Sequence, residues 1–201
     1  MKKKIVSVCL VVCLLATAII GTTLAYFTDD ATVTNTFTVG EVTITMDETD
    51  VDIYGVKESD TRVTENKYKL IPGRDYIKDP TINVGASSED CYLFVTIDNG
   101  LSDVIEELDL AGWTYVENGN YYYYIGTGDG VDTEGKAVSA GSKVPVFSGF
   151  TVLTTVDADG LKAVNGEQIV VNAYAVQADG FDTAQAAWDA AKGDLLPGGG
   201  V

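Results

Sequence analysis

Apolar residues in this chain recur at every second position, and that period of two limits the fold more than anything else in the sequence. Val33, Phe37 and Val39 alternate with polar residues, as do Val42, Ile44 and Met46, and Cys91 falls in step with Leu93, Val95 and Ile97. Successive side chains of a strand point to opposite faces, so this spacing builds half-buried strands and not helices. About nine or ten such segments, punctuated by turns and without a βαβ rhythm, imply an all-β antiparallel sandwich. No internal repeat interrupts the pattern.

The segments follow one another with clear punctuation. Residues 47–60 are acidic and polar and read as a loop or an irregular edge, and residues 61–71 read as an edge strand. Pro72-Gly73 then suits a type II turn, whose third position needs a positive φ. Residues 81–84 lead into the strong strand at 91–97. Residues 113–116 and 121–125 flank Asn118-Gly119 as a hairpin, with Asn-Gly supplying left-handed conformations. Further strands are expected within 143–155 and 167–178. The latter is apolar on both faces, which points to a central strand. Two short helices break the β pattern. Residues 102–108 open with Ser102 and Asp103, with Glu106 at capping spacing. Residues 182–193 carry Asp182 and Gln185 at cap spacing, an alanine run, Trp188, and Gly193 as the stop.

The first 25 residues have another character. Lys2, Lys3 and Lys4 precede an apolar run from Ile5 to Ile20, which ends in the small residues around Thr23-Leu24-Ala25. This is the pattern of a secretory signal cleaved between Ala25 and Tyr26. The organisation is therefore a signal peptide at 1–25, an N-terminal strand segment at 26–39, a sandwich domain at 40–194 and a glycine-rich tail at 195–201. Val12 before Cys13 argues against a lipoprotein signal. An uncleaved anchor is the alternative fate of the apolar run, with the body outside. Cleavage removes three lysines, so the formal charge of −17 becomes −20 in the mature chain. That charge opposes binding to nucleic acid or to an anionic membrane, and divalent cations or high salt should favour association. Cys91 is the single cysteine beyond the signal, so no internal disulfide forms and a buried core role is expected.

The junction Ala25-Tyr26-Phe27-Thr28-Asp29, followed by Asn35-Thr36-Phe37-Thr38-Val39-Gly40, resembles the TasA and camelysin family. The likeness continues through Leu70-Ile71-Pro72-Gly73, Lys78-Asp79 and Asn83-Val84-Gly85. The resemblance implies export through a SipW-type signal peptidase, a jelly-roll topology and a structural subunit of an extracellular or biofilm matrix fibre. It further implies donor-strand exchange, in which residues 26–39 add to the sheet of a neighbouring copy. Phe27, Val33, Phe37 and Val39 would be the anchors and Gly40 the hinge. The expected partners are copies of the chain in a head-to-tail fibre and the signal peptidase during export, with no membrane after cleavage. The alternation alone does not decide whether the segment pairs within its own copy or with a neighbour.

Little in the sequence points to catalysis. The chain has no histidine, which removes Ser-His-Asp, Cys-His and His-Glu-x-x-His sites, so no enzyme is expected even though camelysin relatives are classed as metallopeptidases. Acidic pairs such as Glu106-Glu107 or Asp157 with Asp159 arise by chance among 30 acidic residues. Tyr121 to Tyr124 should put two rings inward and two outward. Trp113, Tyr122 and Tyr124 are then the surface contact residues of the alternative reading, a monomeric adhesin or glycan-binding sandwich. No cofactor is expected. Ca²⁺ alone stays open, because Asp129 to Glu134 and Asp157 to Gly160 alternate oxygen ligands without completing an EF-hand loop. Solvated turns are the expectation, and an unchanged melting temperature in millimolar Ca²⁺ is the outcome that checks it.

Overall fold

The computed structural model describes residues 41–195, which lie in one compact unit, Val39–Val201. The signal, its Ala25/Tyr26 cleavage site, the segment at 26–39, Gly40 and the last six residues lie outside the described part. Ten strands, all antiparallel, form three sheets. In the first, β1 (Ile44–Val51) lies between β2 (Lys57–Val63) and β4 (Thr81–Val84), and β4 pairs outward with β8 (Lys143–Pro145). In the second, β10 (Ile169–Gln177), β5 (Cys91–Asn99), β7 (Tyr121–Tyr124) and β6 (Trp113–Val116) lie side by side in that order. A two-stranded ribbon joins β3 (Asp75–Ile77) to β9 (Gly149–Thr151). Two helices, α1 (Ala158–Ala163) and α2 (Ala184–Leu195), complete the described elements beside a 3-10 turn at Gly128–Gly130.

Alternation explains how these layers stack. Ile82 and Val84 of β4 and Val144 of β8 bury against Cys91, Leu93 and Val95 of β5 and Trp113 of β6, so the first two sheets pack face to face. Odd-numbered residues of β5 serve that core, while even-numbered Tyr92 and Phe94 point the other way. There they meet Tyr121 and Tyr123 of β7 and Ala184, Ala187 and Trp188 of α2. The second sheet is thus the middle layer of three. A third cluster, with Tyr76 stacked on Phe150 at 5.0 Å, closes one end beneath Leu101, Val104 and Ile105.

This layering corrects several expectations. The four consecutive tyrosines do not divide between core and solvent. Tyr121 and Tyr123 are buried under α2, and Tyr122 and Tyr124 are half-buried against the facing sheet. Residues 47–60 hold the end of β1 and the start of β2, because charges on an edge hairpin remain solvated on its outer face. Residues 64–70 have no regular structure. Residues 102–108 form turns and a bridge from Ile105 to Val152 in place of a helix, with the Val104 and Ile105 amides turned onto the Leu101 carbonyl. The second short helix is α1, capped where the Asp157 carboxylate accepts from the Gly160 amide at 2.9 Å. The β6–β7 turn takes its positive φ at Asn120, 51°. Gly119 is needed for another reason: a Cβ there would sit 2.3 Å from the Tyr121 ring. Pro72-Gly73 behaves as its sequence predicts, with φ +73° at Gly73 and the Arg74 amide donating to the Ile71 carbonyl at 3.2 Å. The helix expected at 182–193 forms as α2, two residues further on at each end.

Trp188 joins α2 to the middle sheet. Its ring stacks on Tyr121 at 4.3 Å and contacts Phe94 at 5.0 Å and Tyr174 at 5.7 Å. Burial first, then the nearby Asp189 carboxylate and Tyr123, pushes the Tyr121 hydroxyl up to about 12. Trp188→Ala should cost about 3–5 kcal/mol, as truncation of a buried aromatic does. At roughly 2–4 °C per kcal/mol for a chain of this size, the thermal transition drops by about 6–20 °C, read by circular dichroism.

Candidate functional site

The two four-stranded sheets end in four strand edges, and three of these carry devices that block pairing with another chain. β2 bears Lys57, Glu58, Asp60 and Arg62; β8 is three residues long and contains Lys143 and Pro145; β6 is four residues long. Charge, proline and shortness all discourage edge-to-edge association. The fourth edge has none of these. β10 reads Ile169-Val170-Val171-Asn172-Ala173-Tyr174-Ala175-Val176-Gln177, with no charge, proline or glycine. Its apolar faces suggest a central strand, yet among the described residues it pairs on one side only, with β5. Both faces are apolar because the facing sheet covers one and α2 the other.

The pairing also shows which backbone groups are left. The Gly100 amide donates to the Gln168 carbonyl at 2.9 Å, and the Ala178 amide donates to the Asp90 carbonyl at 2.8 Å. Hydrogen-bonded pairs alternate in an antiparallel ladder, so even-numbered residues of β10 bond β5. The N–H and C=O groups of Ile169, Val171, Ala173, Ala175 and Gln177 therefore aim outward. The side chains of Ile169, Val171, Ala173 and Ala175 lie partly buried against the inter-sheet core.

A groove of about 790 Å³ opens beside the start of this edge. Ile169 and Val171 line it together with Met46 and Glu48 of β1, Val63 of β2, residues 64–70, Lys78, Leu101 and Phe150. β2 stops opposite Glu48, so Ile44 to Met46 have a described partner only on the β4 side. The walls mix apolar residues with polar and charged ones, and a buried ion pair sits among them. Lys78 Nζ donates to Glu48 Oε2 at 2.8 Å, and Glu48 is 4% exposed. Asn66 Nδ2 donates to Glu48 Oε1 at 2.9 Å and to the Thr49 carbonyl at 2.8 Å, while its Oδ1 accepts from the Val51 amide at 3.1 Å. The register between β1 and β2 shifts between Thr49 and Val51, and the Asn66 side chain supplies ladder partners there. Burial, and then the Glu48 and Asp79 carboxylates, raise the Tyr68 hydroxyl far above its ordinary range, so it stays a neutral donor to the Ile77 carbonyl at 3.0 Å.

On the outer face of the same sheet Arg62 ties three strands together. It bonds Asp47, donates to Asp79 Oδ2 at 3.0 Å and reaches Thr81 Oγ1 at 2.9 Å. Burial works against ionising Asp79, but the Thr49 amide at 2.6 Å, the Thr49 hydroxyl at 2.8 Å and Arg62 outweigh it and hold its carboxyl below the usual range. The Lys-Asp pair seen in the sequence thus divides its work: Lys78 points into the groove and Asp79 away from it.

The other residues singled out in the sequence occupy structural positions. Trp113 is 7% exposed and donates from Nε1 to the Pro145 carbonyl at 3.2 Å, so its ring is a core element rather than a surface contact. Tyr124 packs on Trp113, and Tyr122 packs on Tyr115 at 4.8 Å. Cys91 is fully buried, and burial first and Asp90 second push its thiol up to about 11. Asp132 accepts from the Glu134 amide at 3.1 Å, a turn contact. Glu106 and Glu107 are exposed. Glu48 and β10 as a site were missed, because the isolated sequence gives neither the burial of one carboxylate nor which strand lies outermost.

Fold and groove together define a sandwich-like antiparallel β protein with one unprotected apolar edge. The family model described as Camelysin metallo-endopeptidase matches residues 1–71, so the N-terminal third of the chain carries the TasA/camelysin family signature. That stretch contains β1, β2 and the groove wall up to Leu70. No curated protein and no solved structure matches the chain. The zinc chemistry that the family description implies does not fit the residues present. The chain lacks histidine, and among the described residues no three His, Cys, Asp or Glu side chains are grouped to hold a metal ion. Among those residues, too, no helix is long and apolar enough to cross a membrane.

Two outcomes follow from these polar networks. Lys78→Met strands the Glu48 carboxylate and should cost about 3–5 kcal/mol in urea unfolding, whereas Lys78→Met with Glu48→Leu should recover most of that loss. Asp79→Asn should cost about 1–3 kcal/mol at pH 7. Because the folded carboxyl is held below its unfolded value of about 3.9, this stabilisation is present above about pH 4 and is lost as pH falls through the folded value. Wild type and variant should therefore converge in urea titrations near pH 2.

Proposed function

We propose that the chain is a secreted, non-enzymatic structural subunit of an extracellular or biofilm matrix fibre, with the jelly-roll winding that the family resemblance implies. Subunits join when residues 26–39 of one copy, freed by removal of the signal, add as a strand to the outer edge of β10 in the next. The observation that carries this reading is the β10 edge: nine residues without charge or proline, beside a groove lined in part by apolar residues, where the other three edges of the four-stranded sheets are charged or short. Nine residues of strand offer about 30 Å of ladder at 3.3–3.4 Å each, and fourteen extended residues are long enough to follow it. An added strand gives main-chain hydrogen bonds to the outward groups of β10, and its alternate side chains reach the core between the sheets. Phe27, Val33, Phe37 and Val39 share one face of such a strand. Donor and acceptor surfaces differ, so the contact is head-to-tail and grows without closing. The strong negative charge of the mature chain keeps free subunits apart until the strand docks, and salt should promote assembly.

A chain beginning at Tyr26 should form filaments in negative-stain electron microscopy, faster at high salt. Deleting residues 26–39 should leave a folded monomer by light scattering and circular dichroism. Filaments from the deleted chain would overturn the strand-exchange mechanism.

A further inference from the structure

The groove contains a feature that strand addition alone does not require. Edge pairing needs only backbone groups and an apolar floor, yet Glu48 and Lys78 place a nearly dry ion pair among Met46, Leu70, Ile169 and Val171. A buried pair of this kind contributes little net stability, and its best-attested use is to fix register. An ammonium has three N–H donors, and Lys78 directs one to Glu48. A purely apolar strand lying over the pair would remove it from water without replacing the lost hydrogen bonds.

The segment at 26–39 carries a matching irregularity. Its apolar face consists of the odd-numbered residues, and Asn35 falls on that face between Val33 and Phe37. An amide both donates and accepts, so one Asn side chain can accept a hydrogen bond from Lys78 and donate one to Glu48 without adding charge. Asp29, the other polar residue among them, would set a second carboxylate beside Glu48. At 3.3 Å per residue it also lies about 20 Å from Asn35, beyond the same contact.

We infer that the Glu48–Lys78 pair is the register pin of the groove, and that it receives Asn35 of the incoming strand from a second copy. The inference rests on the strand-addition reading above. A slip of two residues keeps the odd face inward but puts Val33 or Phe37 over the ion pair, and a slip of one turns the whole apolar face outward. The pin therefore discriminates against the two-residue slip, which alternation by itself permits.

The test uses the full mature chain with Phe37→p-benzoylphenylalanine, assembled from equal parts of ¹⁵N-labelled and unlabelled protein, irradiated and mapped by mass spectrometry. Cross-links between copies should fall on groove residues at a single register. In the Asn35→Val chain the share at registers shifted by two should rise about tenfold, which corresponds to about 1.4 kcal/mol, the scale of one hydrogen bond. Glu48→Leu with Lys78→Met, which removes the pin from the acceptor side, should produce the same spread in a protein that keeps most of its thermal stability. Groove cross-links between copies at one unchanged register in both variants would overturn the pin and leave strand addition standing. Cross-links confined within single copies would overturn addition between subunits, and the register comparison would then still decide the pin. Absence of groove cross-links from the assembled protein would overturn both.

Discussion

Backbone amides removed from water must find hydrogen-bond partners, and the outer edge of β10 is where that rule weighs most on this protein. Five residues of β10 turn their N–H and C=O groups away from β5, while their side chains, or those of four of them, reach the inter-sheet core. The facing sheet covers Ile169, Val171, Ala173 and Ala175 and α2 covers Tyr174 and Val176, whereas Val170 and Asn172 stay exposed. β2 has an outer face in water and carries Lys57, Glu58, Asp60 and Arg62. β10 carries no charge even at its two exposed positions.

The layer order produces this situation. α2 is held on the middle sheet by Trp188, and the facing sheet closes the other side through Ile82, Val84 and Val144. Polar groups appear where the covering is incomplete. Arg62 staples β2 to β1 and to the start of β4 on the solvent face, while Asn66 repairs the irregular pairing near Thr49. Glu48 and Lys78 then form a buried ion pair in the groove beside the start of β10.

Much of the architecture was legible in the residues. Alternation located β4, β5, β6, β7 and β10, Pro72-Gly73 gave its turn, and the cap spacing of Asp182 and Gln185 with the alanine run gave α2. The misses share a physical origin. Residues 102–108 have the caps of a helix, but Val104 and Ile105 are bound into the cluster around Phe150 and Val152, and that burial outweighs local preference. Alternation at Val42, Ile44 and Met46 marked the start of β1, but the end of β1 and the start of β2 were hidden by the acidic residues of an edge hairpin, whose charges mostly stay in water while its backbone pairs. Trp113 and the tyrosines were assigned a surface because a strand with two aromatic faces was not seen to lie between two covering layers.

The sequence by itself determined the class of structure, since a period of two in apolar residues leaves the chain no other way to bury them, and its acidity determined which partners it repels. Only the tertiary structure decided that β10 ends a sheet and that Glu48 and Lys78 meet under cover beside it. Alternation records which side of a strand is buried; it holds no record of which strand lies next to it, because neighbours are chosen by long-range pairing.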